Sequence, residues 1–234
     1  WQQLIIITDK AYTKKIIDKK IFQENKSIAF YEIAKIKQYS EIKESINYIK
    51  KALNLRKNFP PYIRLYLELL IQNKNYIIAK KYIKKVWKDV PHREYKSVIN
   101  NLSKYLEISM LELTKYIIGT SATNEESKLL LIEASIIDKK WNEARNEIKS
   151  LIDIQPKKEI CLLMAKIEEG DTGDIQKTNS WILRARSGEE NKIWICFFSK
   201  KVQEEWSSIS NGGFFNSLEW KKPIMLNSLI SLED

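Results

Sequence analysis

Few side chains in this 234-residue sequence could carry covalent, acid–base or metal chemistry. Its single histidine, His92, directly follows Pro91. A lone imidazole at a turn between helices reads as a solvated turn residue rather than a general base. The carboxylate pairs Glu168-Glu169 and Glu189-Glu190 are neighbours in sequence. They read as helix-end and loop charges, because an acid/base dyad needs groups that face each other across a cleft. Zinc wants four Cys or His ligands, and His92, Cys161 and Cys196 are only three, widely scattered. Cys161 falls on an apolar helical face, where a buried small hydrophobe is its expected role. The sequence contains no glycine fingerprint, P-loop or nucleophile elbow. No catalytic, cofactor-binding or metal-ligating residue is assigned, and the chain is not expected to be an enzyme.

The elements that would carry function are repeats. Pro61 to Pro91 reads as one unit: a helix over Tyr62–Ile71, a polar break at Gln72–Asn75, and a second helix opening at Tyr76. On that second helix Ala79, Ile83 and Val86 share one stripe, the spacing that presents a single packed face. Pro91 closes the unit, since proline cannot continue a helix interior. The same grammar returns 65 residues later, with Trp141, Ala144, Ile148, Leu151 and Pro156 in the corresponding places. That offset is about two repeats of ~34 residues, the period of tetratricopeptide hairpins. Weaker copies are predicted over 27–59, 95–118 and 159–186, and residues 4–22 read as one further helix.

The fold class predicted is therefore all-α, a tetratricopeptide-like solenoid of stacked helical hairpins, with an ordinary helical bundle as the alternative. One hairpin cannot bury its own apolar face, so neighbours stack and share a core. Three parts are expected: residues 1–26 as a helix from half a truncated repeat, 27–186 as the repeat array, and 187–234 as an aromatic-rich C-terminal cap. In the cap, Trp194, Trp206 and Trp220 with Phe214, Phe215 and Leu218 lack helical spacing, and Gly212-Gly213 punctuates them.

A stacked array uses the first helix of each pair to line its groove. Arg64, Glu68 and Gln72 then form one exposed stripe at spacings of four, and Tyr31, Lys35 and Gln38 the equivalent stripe one repeat earlier. These six are the candidate partner-binding residues. Lys80, Lys84 and Lys88 ride the second helix and are expected to form a basic ridge on the opposite side.

The charge is uneven. Residues 1–100 hold 22 Lys and Arg against 9 Asp and Glu, whereas the remainder carries 18 against 21. Such a half could face an anionic membrane surface. Nucleic acid is not the expected partner: only 6 of the 40 basic residues are Arg, the side chain that forks onto phosphate. Two cysteines indicate no disulfide framework. No run approaches the ~18–20 apolar residues that span a bilayer. The chain opens at Trp1, so a longer parent is expected, with any membrane anchor upstream.

With a tetratricopeptide grammar followed by an aromatic tail, the chain resembles the HemY-type proteins associated with bacterial haem biosynthesis, in their alphaproteobacterial form. The residues carrying the resemblance are Leu65–Leu70 with Tyr76 and Ala79, Val86-Trp87-Lys88 before Pro91-His92, and Trp141-Asn-Glu-Ala-Arg145. Met164–Asp171, Trp194-Ile-Cys196, Glu205-Trp206-Ser207 and Asn216–Trp220 extend it into the tail. The resemblance implies a protein anchored in the bacterial inner membrane by upstream helices, its soluble domain on the cytoplasmic side. It also implies a non-catalytic scaffold whose protein partner is a haem-pathway enzyme. Direct binding of a tetrapyrrole or lipid is the alternative, with His92 or Cys196 as candidate axial ligands. Family members look to carry two Cys-x-x-Cys pairs in the tail. Here Cys196 remains, its partner position is Ser199, and the later pair falls near Ser210 and Gly213, so the tail reads as a degenerate zinc ribbon held by its tryptophans.

Overall fold

The computed structural model describes residues 1–119, 123–152 and 156–223. Among them the helices run α1 (Gln2–Thr13), α2 (Lys19–Lys37), α3 (Ile42–Leu55), α4 (Pro60–Gln72) and α5 (Tyr76–Asp89). A 3₁₀ turn (Arg93–Tyr95) leads into α6 (Lys96–Tyr105), followed by α7 (Met110–Ile118), α8 (Glu125–Ile137) and α9 (Trp141–Lys149). Two more, α10 (Lys158–Asp171) and α11 (Ile175–Arg186), precede three short strands: β1 (Ile193–Cys196), β2 (Val202–Gln203) and β3 (Leu218–Lys221). The fold class is all-α, built of helical hairpins in a tetratricopeptide-like pattern, with a small sheet in an aromatic-rich C-terminal segment. Two compact units divide it, Trp1–Ala144 and Arg145–Asp234. That division lies inside α9, earlier than the array-to-cap boundary at 186/187.

Within the first unit, α2/α3, α4/α5 and α6/α7 are successive hairpins. The helices come close because the contact positions are small: Ala29, Ala34, Ala52 and Ala79 are fully buried, and the Ser45 hydroxyl donates to the Ala34 carbonyl at 2.7 Å. Helix α4 is apolar on nearly every side, as a helix flanked by α3, α5 and α6 must be. Trp87, at the end of α5, is wholly enclosed and donates its indole N–H to Ser127 of α8 at 2.8 Å. Burying one such side chain contributes about 1.5–3 kcal/mol. Of the stripe read from sequence, Ala79, Ile83, Ala144 and Ile148 are enclosed, whereas Val86 and Leu151 are only half-buried.

The turns within hairpins repeat too. Lys74, Glu107, Lys139 and Gly173 each adopt positive φ, and they stand 33, 32 and 34 residues apart. At the first three the same closure recurs. The N–H of the left-handed residue bonds three positions back, and the next N–H five back, as in Asn75 to Leu70 at 2.8 Å and Lys140 to Ser135 at 2.7 Å. These are Schellman closures, which satisfy carbonyls a helix end leaves unpaired.

The N-terminal reading needs correction. Residues 4–22 do not form one helix. Lys15, at φ 57, closes α1 by the same Schellman pattern, and the Asp18 carboxylate accepts from the Ile21 N–H at 2.8 Å to start α2. Helix α2 therefore begins at Lys19, and the boundary expected at 26/27 falls inside it.

In the second unit, α10 and α11 form a hairpin turned at Gly173. The strands make an antiparallel sheet in the order β2-β1-β3, with Trp194 opposite both Gln203 and Trp220. Trp194, Trp206, Cys196 and Leu218 are buried. Phe214 and Phe215 are not; with Phe197 and Phe198 they stay substantially exposed.

Candidate partner-binding face

The first helices of successive hairpins, α2, α4, α6 and α8, bring the two predicted stripes side by side. The Gln72 side-chain amide of α4 donates to the Gln38 carbonyl at the end of α2, at 2.8 Å. Tyr31 of α2 stacks on Tyr62 of α4, ring centroids 5.1 Å apart. Lys35 reaches back over the Tyr31 ring at 5.6 Å, while Arg64 donates to Glu68 one turn along α4 at 2.9 Å.

Burial sorts these six residues. Lys35 and Gln72 are exposed, and Gln38, Arg64 and Glu68 are half-buried. Tyr31 differs from the exposed position expected of it: its side chain is buried in the seam between α2 and α4. Burial raises its phenol strongly, and the carboxylates of Glu32 and Glu68 add to the rise while Arg64 opposes it. Tyr31 therefore supplies a neutral floor to the stripe.

The face extends beyond the predicted residues. Glu94, in the 3₁₀ turn, also acts on the Tyr31 phenol. Arg93 pairs with Glu126 of α8 at 3.2 Å, and Lys96 of α6 pairs with Glu133 of α8. These partners lie 34 (Gln38–Gln72), 33 (Arg93–Glu126) and 37 (Lys96–Glu133) residues apart, close to one repeat. Spacing within one helix could not expose them, since each link joins different repeats. The resulting surface alternates positive and negative side chains held in fixed places.

The basic surplus lies on α3 and α5 instead. Those helices carry Lys43, Lys50, Lys51, Lys80, Lys81, Lys84, Lys85 and Lys88 against Glu44 and Asp89. The expected ridge is partly absorbed: Lys80 and Lys84 lie over the Tyr116 ring of α7, at 4.5 and 4.0 Å. Lys88 is exposed. A ring face beneath two ammonium groups offsets some of their mutual repulsion.

The groups singled out for chemistry have structural roles. His92 is no solvated turn residue; it is buried, and its Nδ1 accepts from the Glu94 N–H at 3.3 Å, capping the 3₁₀ turn. Glu168 is likewise no simple helix-end charge. It is buried and held by Arg145 through two bonds of 2.7 and 3.0 Å, a bidentate fork that Asp171 joins at 3.0 Å. That fork holds the Glu168 carboxyl below the usual range. Cys161 is buried, as its apolar face requires.

Cys196 sits in a ring of serines. Its sulfur accepts from the Ser199 N–H at 3.4 Å and from Ser210 Oγ at 3.5 Å, and meets Ser217 Oγ at 3.4 Å. Burial alone would push the thiol up, but the donors of Ser199, Ser210 and Ser217 outweigh it and bring it down to about 6. The two turns at 196–199 and 210–213 thus meet through a sulfur and hydroxyls. A single thiolate among alcohols is a poor donor set for zinc. Among the described residues no three His, Cys, Asp or Glu side chains converge on a common point.

The class defined by these features is a tetratricopeptide-like array of hairpins presenting a mixed-charge face. No protein-family model matches the chain. Over 77 residues it is 31% identical to the probable magnetosome protein Mms48 of Magnetospirillum gryphiswaldense, a match spanning 32% of this chain and 17% of that protein. Among solved structures, MamA (residue 41 to the end) from Desulfovibrio magneticus RS-1 is similar at 15% identity and a TM-score of 0.39, covering 69% of this chain and 93% of that one. A tetratricopeptide repeat protein from Parabacteroides merdae is similar at 14% identity and a TM-score of 0.37, covering 79% and 77%. The fold assignment rests on the hairpins themselves. The HemY-type resemblance and its haem-pathway role find no support in these comparisons.

Proposed function

We propose that the chain is a non-catalytic scaffold whose α2–α4–α6–α8 face docks a segment of a protein partner. The observation that carries this is a row of polar and charged side chains held between repeats, by the Gln72 amide on the Gln38 backbone carbonyl and by the Arg93–Glu126 and Lys96–Glu133 ion pairs. Preorganised side chains lose little rotamer entropy on binding, so a partner gains most from a surface fixed in this way. A matching segment would carry alternating charge and insert between Lys35 and the Arg64–Glu68 pair.

The exchange Arg64→Glu with Glu68→Arg tests it. The swap keeps the intramolecular pair while reversing the pattern offered to a partner. Partners captured by the full-length protein should be lost from the variant while its thermal unfolding stays unchanged. Capture of an unchanged set would refute the docking face.

The finer setting, a haem-pathway enzyme as partner and an inner-membrane anchor, rests on the HemY-type resemblance alone. The identity with a magnetosome protein supports a second setting for the same scaffold role. Naming the proteins lost from the swapped variant decides between them. Direct tetrapyrrole binding is the less favoured alternative, because His92 and Cys196 are both buried and hydrogen-bonded within the fold. Titrating haemin against native protein and His92→Ala, followed by absorbance, tests it.

A further inference from the structure

A cleft of about 470 Å³ opens among α3, α4 and α5, lined by Lys50, Leu53, Asn54, Lys57, Tyr66, Tyr82 and Lys85. It does not belong to the docking face. Tyr66 and Arg64 are two positions apart on α4, about 200° around the helix, so they point to opposite sides. Three features set the cleft apart from a solvated lysine patch.

The first is charge without counter-charge. No carboxylate lines the cleft, and Lys50, Lys57 and Lys85 have no ion-pair partner among the described residues. Some lysines of this unit are ion-paired (Lys26 with Asp9, Lys37 with Glu41 and Glu44, Lys115 with Glu143), and others, such as Lys43 and Lys81, have no ion pair among the described residues. What distinguishes Lys50, Lys57 and Lys85 is that all three line one cavity. Three ammonium groups around one cavity repel each other, and an anion between them removes that cost.

The second is the wall. Tyr66 and Tyr82 meet edge to face with centroids 4.9 Å apart, and Lys50 lies over the Tyr66 ring at 5.8 Å. Burial raises the Tyr82 phenol to about 12, with Tyr66 a lesser cause, so it remains a neutral hydroxyl donor at physiological pH. The third is the donor set. Lysine ammonium groups, phenol hydroxyls and the Asn54 amide can converge on a tetrahedral anion from several directions. Lysine binds phosphate as a point charge without needing an arginine fork, and no arginine lines this cleft. The volume is within the ~300–1,000 Å³ usual for small-ligand sites.

We infer that this cleft is a binding site for a phosphate-bearing anion, with Lys50, Lys57 and Lys85 holding the charge and Tyr66, Tyr82 and Asn54 completing the donor shell. The phosphate could belong to a soluble phosphorylated molecule or to a lipid headgroup, and the chemistry recognised is the same.

The test uses the full chain and pyrophosphate, followed by titration calorimetry and by NMR of the Tyr66 and Tyr82 ring protons. Two triple variants lose the same charge: Lys50→Met/Lys57→Met/Lys85→Met in the cleft, and Lys43→Met/Lys104→Met/Lys140→Met elsewhere. Native protein should bind saturably with both tyrosines shifting. The cleft variant should lose about a hundredfold in affinity at unchanged circular dichroism, and the control less than about threefold. Equal losses in the two variants, or no saturable binding, would overturn the site. So would hexaglutamate binding as tightly as pyrophosphate with the same dependence on the three lysines, since that outcome would assign an acidic peptide instead. Phosphatidylcholine vesicles doped with phosphatidic acid distinguish the sources. Sedimentation of native protein but not the cleft variant assigns a headgroup, and binding of pyrophosphate without sedimentation assigns a soluble ligand.

Discussion

Replacing Lys74 and Lys139 by glycine should stabilise the protein, an outcome opposite to that of most glycine substitutions. Both lysines end the first helix of a hairpin in the left-handed region, at φ 59 and 56. An L-residue there costs roughly 1–2 kcal/mol because its Cβ crowds the following carbonyl. Glycine removes that cost but adds about 0.5–1 kcal/mol of backbone entropy to the unfolded chain. The difference leaves a gain of ~0.5–1 kcal/mol at each site. Both side chains are exposed and in no ion pair among the described residues, so nothing else of consequence is lost. The two turns share no partner, so their effects should add to about 1–2 kcal/mol. For a chain of this size each kcal/mol raises the melting temperature by about 2–4 °C. Lys81→Gly supplies the opposing control: it lies within α5 on the exposed side, where glycine should cost about 1 kcal/mol. Differential scanning calorimetry of the three variants reads the signs directly. If Lys74→Gly and Lys139→Gly both lower the melting temperature as Lys81→Gly does, the turns are not left-handed, and the closure they share fails with them.

Ala79→Leu and Ala144→Leu should each destabilise by about 1–3 kcal/mol in urea unfolding, because both alanines are fully enclosed and a leucine would have to force the neighbouring helices apart. Glu168→Gln should cost about 1–3 kcal/mol at neutral pH, since the partly buried Arg145 guanidinium exchanges a bidentate carboxylate for a single neutral acceptor and keeps only Asp171 as a charged partner. The folded Glu168 carboxyl titrates below its unfolded value of about 4.3, so its contribution is present above that pH and disappears as the pH falls through the folded value; the native and Glu168→Gln unfolding curves should converge in acid. Elemental analysis of purified protein should find no stoichiometric zinc, and one zinc per chain would overturn the reading of the Cys196–Ser199–Ser210 cluster as a metal-free packing unit.

What the sequence displays well is anything set by a packed stripe. The starts of α5 and α9 at Tyr76 and Trp141, and the buried Ala79, Ile83, Ala144 and Ile148, were legible because burial fixes residue size at a fixed helical spacing. The break between α1 and α2 was harder, because apolar residues continue across it from Leu4 to Phe22 and only Asp18 signals a new helix start. The break at Gln72–Asn75 is visible as a polar run, but the left-handed closure inside the hairpin turns was illegible for a related reason. A glycine would mark a left-handed closure, and only Gly173 does so, while Lys74, Glu107 and Lys139 adopt the same conformation without the customary residue.

The docking face shows the same division from the functional side. The spacing of four that relates Arg64, Glu68 and Gln72 is a property of one helix and is visible in the sequence. Whether that stripe meets the next one depends on how hairpins stack, and the sequence carries that only as a separation near one repeat between unlike side chains. Arg93 and Glu126 are 33 residues apart and Lys96 and Glu133 are 37, a spread too wide to single out against a background of 40 basic and 30 acidic residues. The same abundance hid the cleft, because Lys50, Lys57 and Lys85 stand out only by lining one cavity with Tyr66 and Tyr82, which spacing along the chain does not show. A repeat protein rich in lysine therefore reveals its framework through its small and apolar residues. Its candidate binding surfaces emerge only when the stacking shows which charges are paired.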